Sequence, residues 1–227
     1  MKIEVFENER AAGYDNFVEL WIPAYNFFIE MLPAIIKTES VASKTESINL
    51  LVAGCGTGNE IKSIVNAGIN CHITGIDPSP EMVAQAHEKL GNRSNVQLQT
   101  GLVKDLPENP GFHIATLILV LHFLQDDGDK LKLLKDLRAR IVTGGKLILL
   151  DIFGDDELIT TNLQILGNYL IDKADPEAIR TRIERIKNKI HYIPEKRLIA
   201  LCLEAGFSKP VRIHQSTIYG GWVISKP

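Results

Sequence analysis

The chain has few cysteines, no strong charge of either sign and no long apolar run. Cys55, Cys71 and Cys202 are odd in number, and none has a CxxC partner. That argues against a disulfide framework or a zinc site and fits a reducing compartment; no metal is expected. Lysines and arginines total 25 against 28 acids, a formal charge of −3. This is too mild for a default polyanion binder or for a disordered acidic chain. No run of 18 apolar residues occurs, so no membrane span is expected. The opening MKIEVFENERAAGYD alternates charged and apolar residues and has no apolar signal-peptide core, and a cytoplasmic location is expected. What is present is ordinary for a globular protein: 45% hydrophobic and 23% charged residues in 227 positions. That length suits one α/β domain with an elaboration.

From Ser47 to Asp151 short apolar runs alternate with amphipathic stretches, the pattern of βαβ units on a parallel sheet. Ile48 to Ala53 (INLLVA), Cys71 to Ile76, Val96 to Thr100, His113 to Val120 and Lys146 to Asp151 (KLILLD) read as strands. Helices are expected over Asn59 to Ala67, Pro80 to Leu90 and Lys130 to Ile141. Ser79 suits the cap of the second, Pro80 its first position and Gly91 its end. Thr143-Gly144-Gly145 reads as a turn. Asn16 to Lys37 carries apolar residues at helical spacing, with breaks expected at Pro23 and Pro33. Asp156 to Ile190 reads as two helices around Asp175-Pro176, and Pro194 to Ala205 as another. Val211 to Ser225 reads as an antiparallel hairpin turning at Gly220-Gly221. The expected fold is α/β: a doubly wound, Rossmann-like, mostly parallel seven-stranded sheet with an antiparallel C-terminal hairpin. One domain is expected over 1–227, with a helical lid (1–44), a core (45–155 and 195–227) and a helical insertion or cap (156–194).

Gly54-Cys55-Gly56-Thr57-Gly58 directly follows a strand and precedes a helix. Glycine suits a loop where the chain turns tightly and a ligand approaches the backbone closely. The next strand ends in Asp77, 23 positions after Gly54. An acid there can accept hydrogen bonds from both ribose hydroxyls of an adenosine cofactor. The loop is GxGxG, with Asn59 where the dinucleotide fingerprint would put its third glycine.

LLVAGCGTG, GIDPSPEMVAQA, NVQLQTGLVKDLP, FHIATLILVLHFLQD and VTGGKLILLD follow one another in an order and spacing that resemble class I S-adenosylmethionine-dependent methyltransferases, most closely the small-molecule branch. The resemblance implies S-adenosyl-L-methionine as cofactor and S-adenosyl-L-homocysteine as product. It implies that Gly54, Cys55, Gly56 and Gly58 pack against the methionine part and that Asp77 holds the ribose. Pro78 and Met82 would lie on adenine, Leu102 and Val103 at its edge, and Leu119 on the methyl-donor side. Three positions depart from the usual pattern: Val52, Leu102 and His113 stand where the family commonly has acids.

His122 is the candidate general base or substrate contact at the C-terminal edge of the sheet. Asp151 is a candidate substrate contact. Tyr14 or Tyr25 is expected near the site beneath an N-terminal lid, although the same helix could make a homodimer contact. The expected function is in-line methyl transfer to an O, N or C nucleophile of a small molecule. One alternative is a degenerate cofactor-binding protein acting through a partner. Another is a tRNA-modifying enzyme using the basic run 180–197, although no aromatic residue interleaves with that run before Tyr192. LVLHFL stands where nucleic-acid amine methyltransferases have an NPPY-type motif, which argues against DNA.

Overall fold

INLLVA has no polar alternation because the strand it forms is covered on both faces. In the computed structural model, which describes residues 4–43, 47–108 and 111–227, this strand is β1 (Ile48–Ala53). Leu50 and Val52 enter one apolar core, Leu51 and Ala53 the other. Residues 1–3 and 44 of the expected lid and 45–46 and 109–110 of the expected core lie outside the described residues.

The chain begins with α1 (Asn8–Ala12), α2 (Tyr14–Trp21) and α3 (Tyr25–Ser43). After β1 come α4 (Asn59–Asn66), β2 (Cys71–Asp77), α5 (Pro80–Leu90), β3 (Val96–Thr100) and β4 (Phe112–Ile118). Then follow α6 (Asp129–Arg140), β5 (Ile141–Ile152), α7 (Asp156–Leu170) and α8 (Pro176–Lys189). The chain closes with α9 (Glu195–Glu204), β6 (Val211–Ser216) and β7 (Tyr219–Ser225). The sheet runs β3-β2-β1-β4-β5-β7-β6. The first five strands are parallel, and β7 and β6 are antiparallel additions. Strand order reverses between β1 and β4, which opens a crevice at their C-terminal ends, where doubly wound folds bind ligands.

Three local readings need correction. Pro33 lies inside α3 without ending it. Proline lacks the N–H that would bond the Ile29 carbonyl, and Ser63 Oγ donates to that carbonyl instead, at 2.8 Å. Thr143-Gly144-Gly145 belongs to β5; Gly144 takes a left-handed φ of 80° and its N–H bonds the Lys226 carbonyl. The C-terminal hairpin turns at Thr217-Ile218, so Gly220 and Gly221 lie within β7. There Gly221 lets α3 approach: a Cβ would stand 3.0 Å from Phe28 and from His214.

Glu60, in the first turn of α4, is 5% exposed. Burial pushes its carboxyl up to about 8; its own backbone N–H opposes this and the Asp77 charge adds to it. Unfolded, the same carboxyl releases its proton near 4.5.

Two outcomes are expected. Ser63→Ala costs about 1 kcal/mol in urea unfolding but much less in a Pro33→Ala background, where the new N–H reaches Ile29; equal costs in both backgrounds would refute the assignment. Between about pH 4.5 and 8 the folded chain holds a proton on Glu60 that the unfolded chain has lost. Glu60's contribution is therefore complete below that window and falls as pH rises through it. Glu60→Gln should flatten the pH dependence of stability across the window, and an unchanged slope would count against a protonated Glu60.

Candidate functional site

The crevice is built around two carboxylates at the C-terminal ends of β2 and β5, on either side of the β1–β4 pair. Asp77 ends β2 and is only 9% exposed. Its Oδ2 accepts the Gly56 N–H at 2.9 Å and its Oδ1 accepts the Ser79 N–H at 2.9 Å. Each oxygen keeps a lone pair for the cavity it borders, the acceptor set that a vicinal diol requires. Burial raises Asp77's pKa, and the two amides pull against that rise.

Gly54 bonds through its N–H to the Ile76 carbonyl at 2.8 Å. Its φ is 73°, and a Cβ would stand 2.3 Å from Val120 Cγ2. Only glycine lets the loop pass so close to the end of β4. Leu119 also takes a left-handed φ, 59°, without being glycine. That costs about 1–2 kcal/mol and is held in place by a bond from the Leu119 N–H to the Leu150 carbonyl.

Asp151, at the end of β5, has no exposure. Its Oδ2 accepts the Leu121 N–H at 2.6 Å and the His122 N–H at 3.3 Å, and its Oδ1 accepts the Ile152 N–H at 2.7 Å. Oδ1 also meets His122 Nδ1. With Nδ1 engaged, Nε2 is the ring nitrogen left for the cavity that His122 lines. Buried Lys130 braces the same loop, its Nζ donating to the Leu121 and His191 carbonyls at 2.7 Å each. Burial lowers that ammonium to about 8, with Asp151 and Asp126 opposing the fall.

The cavity has a volume of about 690 Å³. Its floor is the glycine loop, Asp77 and the end of β4; its walls are residues 4–22, α8 and Tyr219. A smaller apolar slot of about 90 Å³ adjoins it between Ile76, Leu102, Val103 and Leu117. The N-terminal wall is pinned down. Asp15 accepts from Thr57 Oγ1 at 2.6 Å, Asn59 Nδ2 at 3.0 Å and Lys89 Nζ at 2.6 Å. Phe6 packs edge-on against Tyr14 and Phe123, and its carbonyl accepts from Ser79 Oγ at 2.5 Å.

The expected site residues therefore sort by position. Gly54, Gly56, Asp77, Pro78, Met82, Leu119, His122 and Tyr14 line the large cavity. Leu102 and Val103 line the slot. Gly58 caps α4, and Cys55 is buried with its thiol pKa raised by burial. Two further expected residues lie off the cavity wall. Tyr25 lies in the core, where Asn59 Nδ2 donates to its hydroxyl at 3.4 Å, and it does not border the cavity. Asp151 is sealed beneath His122 and orients it, with no surface to offer a substrate. Of the departing positions, Val52 lies in the core and His113 Nδ1 accepts the Asn49 N–H at 3.0 Å. Sequence reading missed Phe6, Asp15, Thr57, Lys89 and Lys130, whose roles depend on long-range packing. It considered Arg182 and Arg185 only as part of the basic run 180–197, yet both line the cavity. The stripe Ala178, Arg182, Arg185, Lys189, at 4-3-4 spacing, was the available signal.

A family profile described as a methyltransferase domain matches residues 51–147. An uncharacterized methyltransferase of Geobacillus thermodenitrificans is 31% identical over 149 residues, 66% of each chain. The chain spans between 45% and 66% of the length of the curated relatives it matches. The CurJ carbon methyltransferase superposes with a TM-score of 0.69 at 14% identity, covering 96% of this chain and 59% of that one. Magnesium protoporphyrin IX methyltransferase of Synechocystis, solved with bound S-adenosylhomocysteine, superposes with a TM-score of 0.62 at 15% identity, covering 94% and 93%. Among the described residues no helix is long and apolar enough to cross a membrane. Motif order, strand order and relatives agree: the chain carries a methyltransferase domain over residues 51–147, on the fold of solved methyltransferases.

Proposed function

We propose that this chain transfers a methyl group from S-adenosylmethionine to a nucleophilic atom of a small molecule held in the 690 Å³ cavity. The observation that carries the reading is Asp77, fixed by two backbone amides with acceptor capacity to spare at the switch point of the sheet. When bound, the cofactor supplies an activated methyl group on its sulfonium. Asp77 receives the ribose hydroxyls, the glycine loop gives the methionine part close backbone contact, and Pro78 and Met82 pack beside them. The slot at Leu102 and Val103 suits a flat apolar ring edge-on. Leu102 and Val103 offer the ring apolar packing, with the Leu102 N–H held by Asp105 Oδ2 at 2.9 Å.

His122 faces the acceptor side. Asp151 holds Nδ1, so Nε2 takes the proton of an acceptor hydroxyl or amine as that atom becomes the nucleophile. Phe6, Tyr14 and Phe17 shield the reaction from water. The basic run 180–197 supports an RNA reading poorly. Arg180 pairs with Glu177 and Arg197 with Asp126, Arg182 and Arg185 face inward, and a break between α8 and α9 divides the run.

Calorimetry with S-adenosylhomocysteine should give micromolar-range binding, on the order of −8 kcal/mol, that Asp77→Ala abolishes while the variant still unfolds cooperatively. Binding retained by Asp77→Ala would remove the ribose assignment. With an acceptor found by screening, His122→Gln should lower kcat by about 10²- to 10⁴-fold and leave S-adenosylhomocysteine affinity intact. Asp151→Asn should lower kcat in the same direction by misorienting the ring. An unaffected kcat in both would leave His122 without a catalytic part.

A further inference from the structure

The acceptor end of the cavity carries a cationic fork that the methyl transfer itself does not require. α8 presents Arg182 and Arg185 to the cavity. The Arg182 guanidinium lies 4.6 Å from the centroid of the Phe17 ring, and among the described residues no carboxylate pairs with it. Its Nε is buried without a hydrogen-bond partner, and the Tyr219 hydroxyl lies against its guanidinium, which draws the phenol's pKa down against the rise that burial causes. Arg185 Nε is buried without a partner as well. Both arginines are half-buried with a sealed Nε, and an anion seated against the fork would meet their guanidinium donors.

The local charges leave room for such an anion. Glu4 is a shared counter-ion: its Oε1 accepts from Arg10 at 2.8 Å and from Arg185 at 3.1 Å. Burial lowers Arg185's pKa, and the neighbouring Arg10 and Arg182 lower it further. The other acids on the cavity wall are engaged or lie outside. Asp175 caps α8 through the Ala178 N–H, Glu177 pairs with Arg180, and Glu9 stands exposed. Asp77 lies at the opposite end. Tyr219 starts β7, four strand positions from β2, roughly 19 Å at about 4.8 Å per strand. The fork therefore lies away from the ribose end and over the strands on the acceptor side.

The wall between fork and floor is aromatic. Phe17 stacks on Trp21 with centroids 6.3 Å apart, and Tyr14 lies nearby on the same helix. We infer that the acceptor is a planar, aromatic carboxylic acid, its ring against Phe17 and Trp21 and its carboxylate bridged by Arg182 with Tyr219 and Arg185. A guanidinium fork matches a carboxylate in plane and in donor spacing. The inference rests on the methyltransferase reading and adds the chemical class of its acceptor.

The test uses benzoate and its neutral isostere benzamide, titrated into the full chain saturated with S-adenosylhomocysteine and read by ligand-observed NMR. Benzoate should bind about tenfold tighter than benzamide. Arg182→Gln should level the two while leaving S-adenosylhomocysteine affinity unchanged, which also shows that the variant is folded. Arg185→Gln should reduce the preference in part. Equal binding of the two probes, no measurable benzoate binding, or a preference that survives both substitutions overturns the inference. Arg182→Gln that loses S-adenosylhomocysteine while remaining folded by circular dichroism also overturns it, because the guanidinium then serves the cofactor's own carboxylate. If the wild type fails to bind S-adenosylhomocysteine, the proposed cofactor site fails instead, a separable result.

Discussion

A carboxylate cut off from water must find its hydrogen bonds inside the protein, and Asp151 finds four: three backbone amides and the His122 ring. The geometry of the crevice follows from that demand. To meet it, the segment after β4 must fold back over the end of β5, which turns the His122 ring toward the cavity. Lys130 closes the arrangement from behind by taking two carbonyls of the segments that meet there. Asp77 does the same for the other half of the crevice, drawing Gly56 and Ser79 to one point. Two buried acids thus organise the loops on either side of the strand-order reversal, and each spends backbone donors that would otherwise lack partners.

The division between the two halves is chemical as well as spatial. The half around Asp77 is made of contiguous motifs, tight turns and small side chains, and a Cβ on Gly54 would collide with Val120. The half around Tyr219 is made of large side chains from α2 and α8, which are distant in sequence. Its surface is aromatic and cationic. The first half is therefore constrained by backbone geometry, and the second can change its chemistry by exchanging side chains.

That division also explains what the sequence disclosed. The helix over Pro80–Leu90 was legible to the residue, because Ser79, Pro80 and Gly91 are local signals acting on their own neighbours. The glycine loop and Asp77 were legible for the same reason. Pro33 misled because the rescue of the Ile29 carbonyl comes from Ser63, on another helix. The hairpin was displaced because Gly220 and Gly221 serve close packing, while the turn falls on Thr217, whose left-handed φ of 48° no glycine announced. Asp151 read as a ligand contact because its place at a strand end was visible and its sealing was not. Arg182 and Arg185 were indistinguishable from the rest of the basic run because composition describes a helix but does not say which side its neighbours cover.

The bond between Glu4 and Arg185 spans 181 positions of chain. Protein synthesis runs from one end to the other, so the N-terminal wall emerges long before the helix it must meet. β1, α4 and β2 can pair as they appear, because their partners are near in sequence. The cavity cannot close until α8 and then Tyr219 have been made. Throughout that interval Phe6, Phe17 and Trp21 have only part of their final cover. The binding chamber is thus completed later than the parallel strands beneath it, and its aromatic lining is the surface that a nascent chain must keep from other chains.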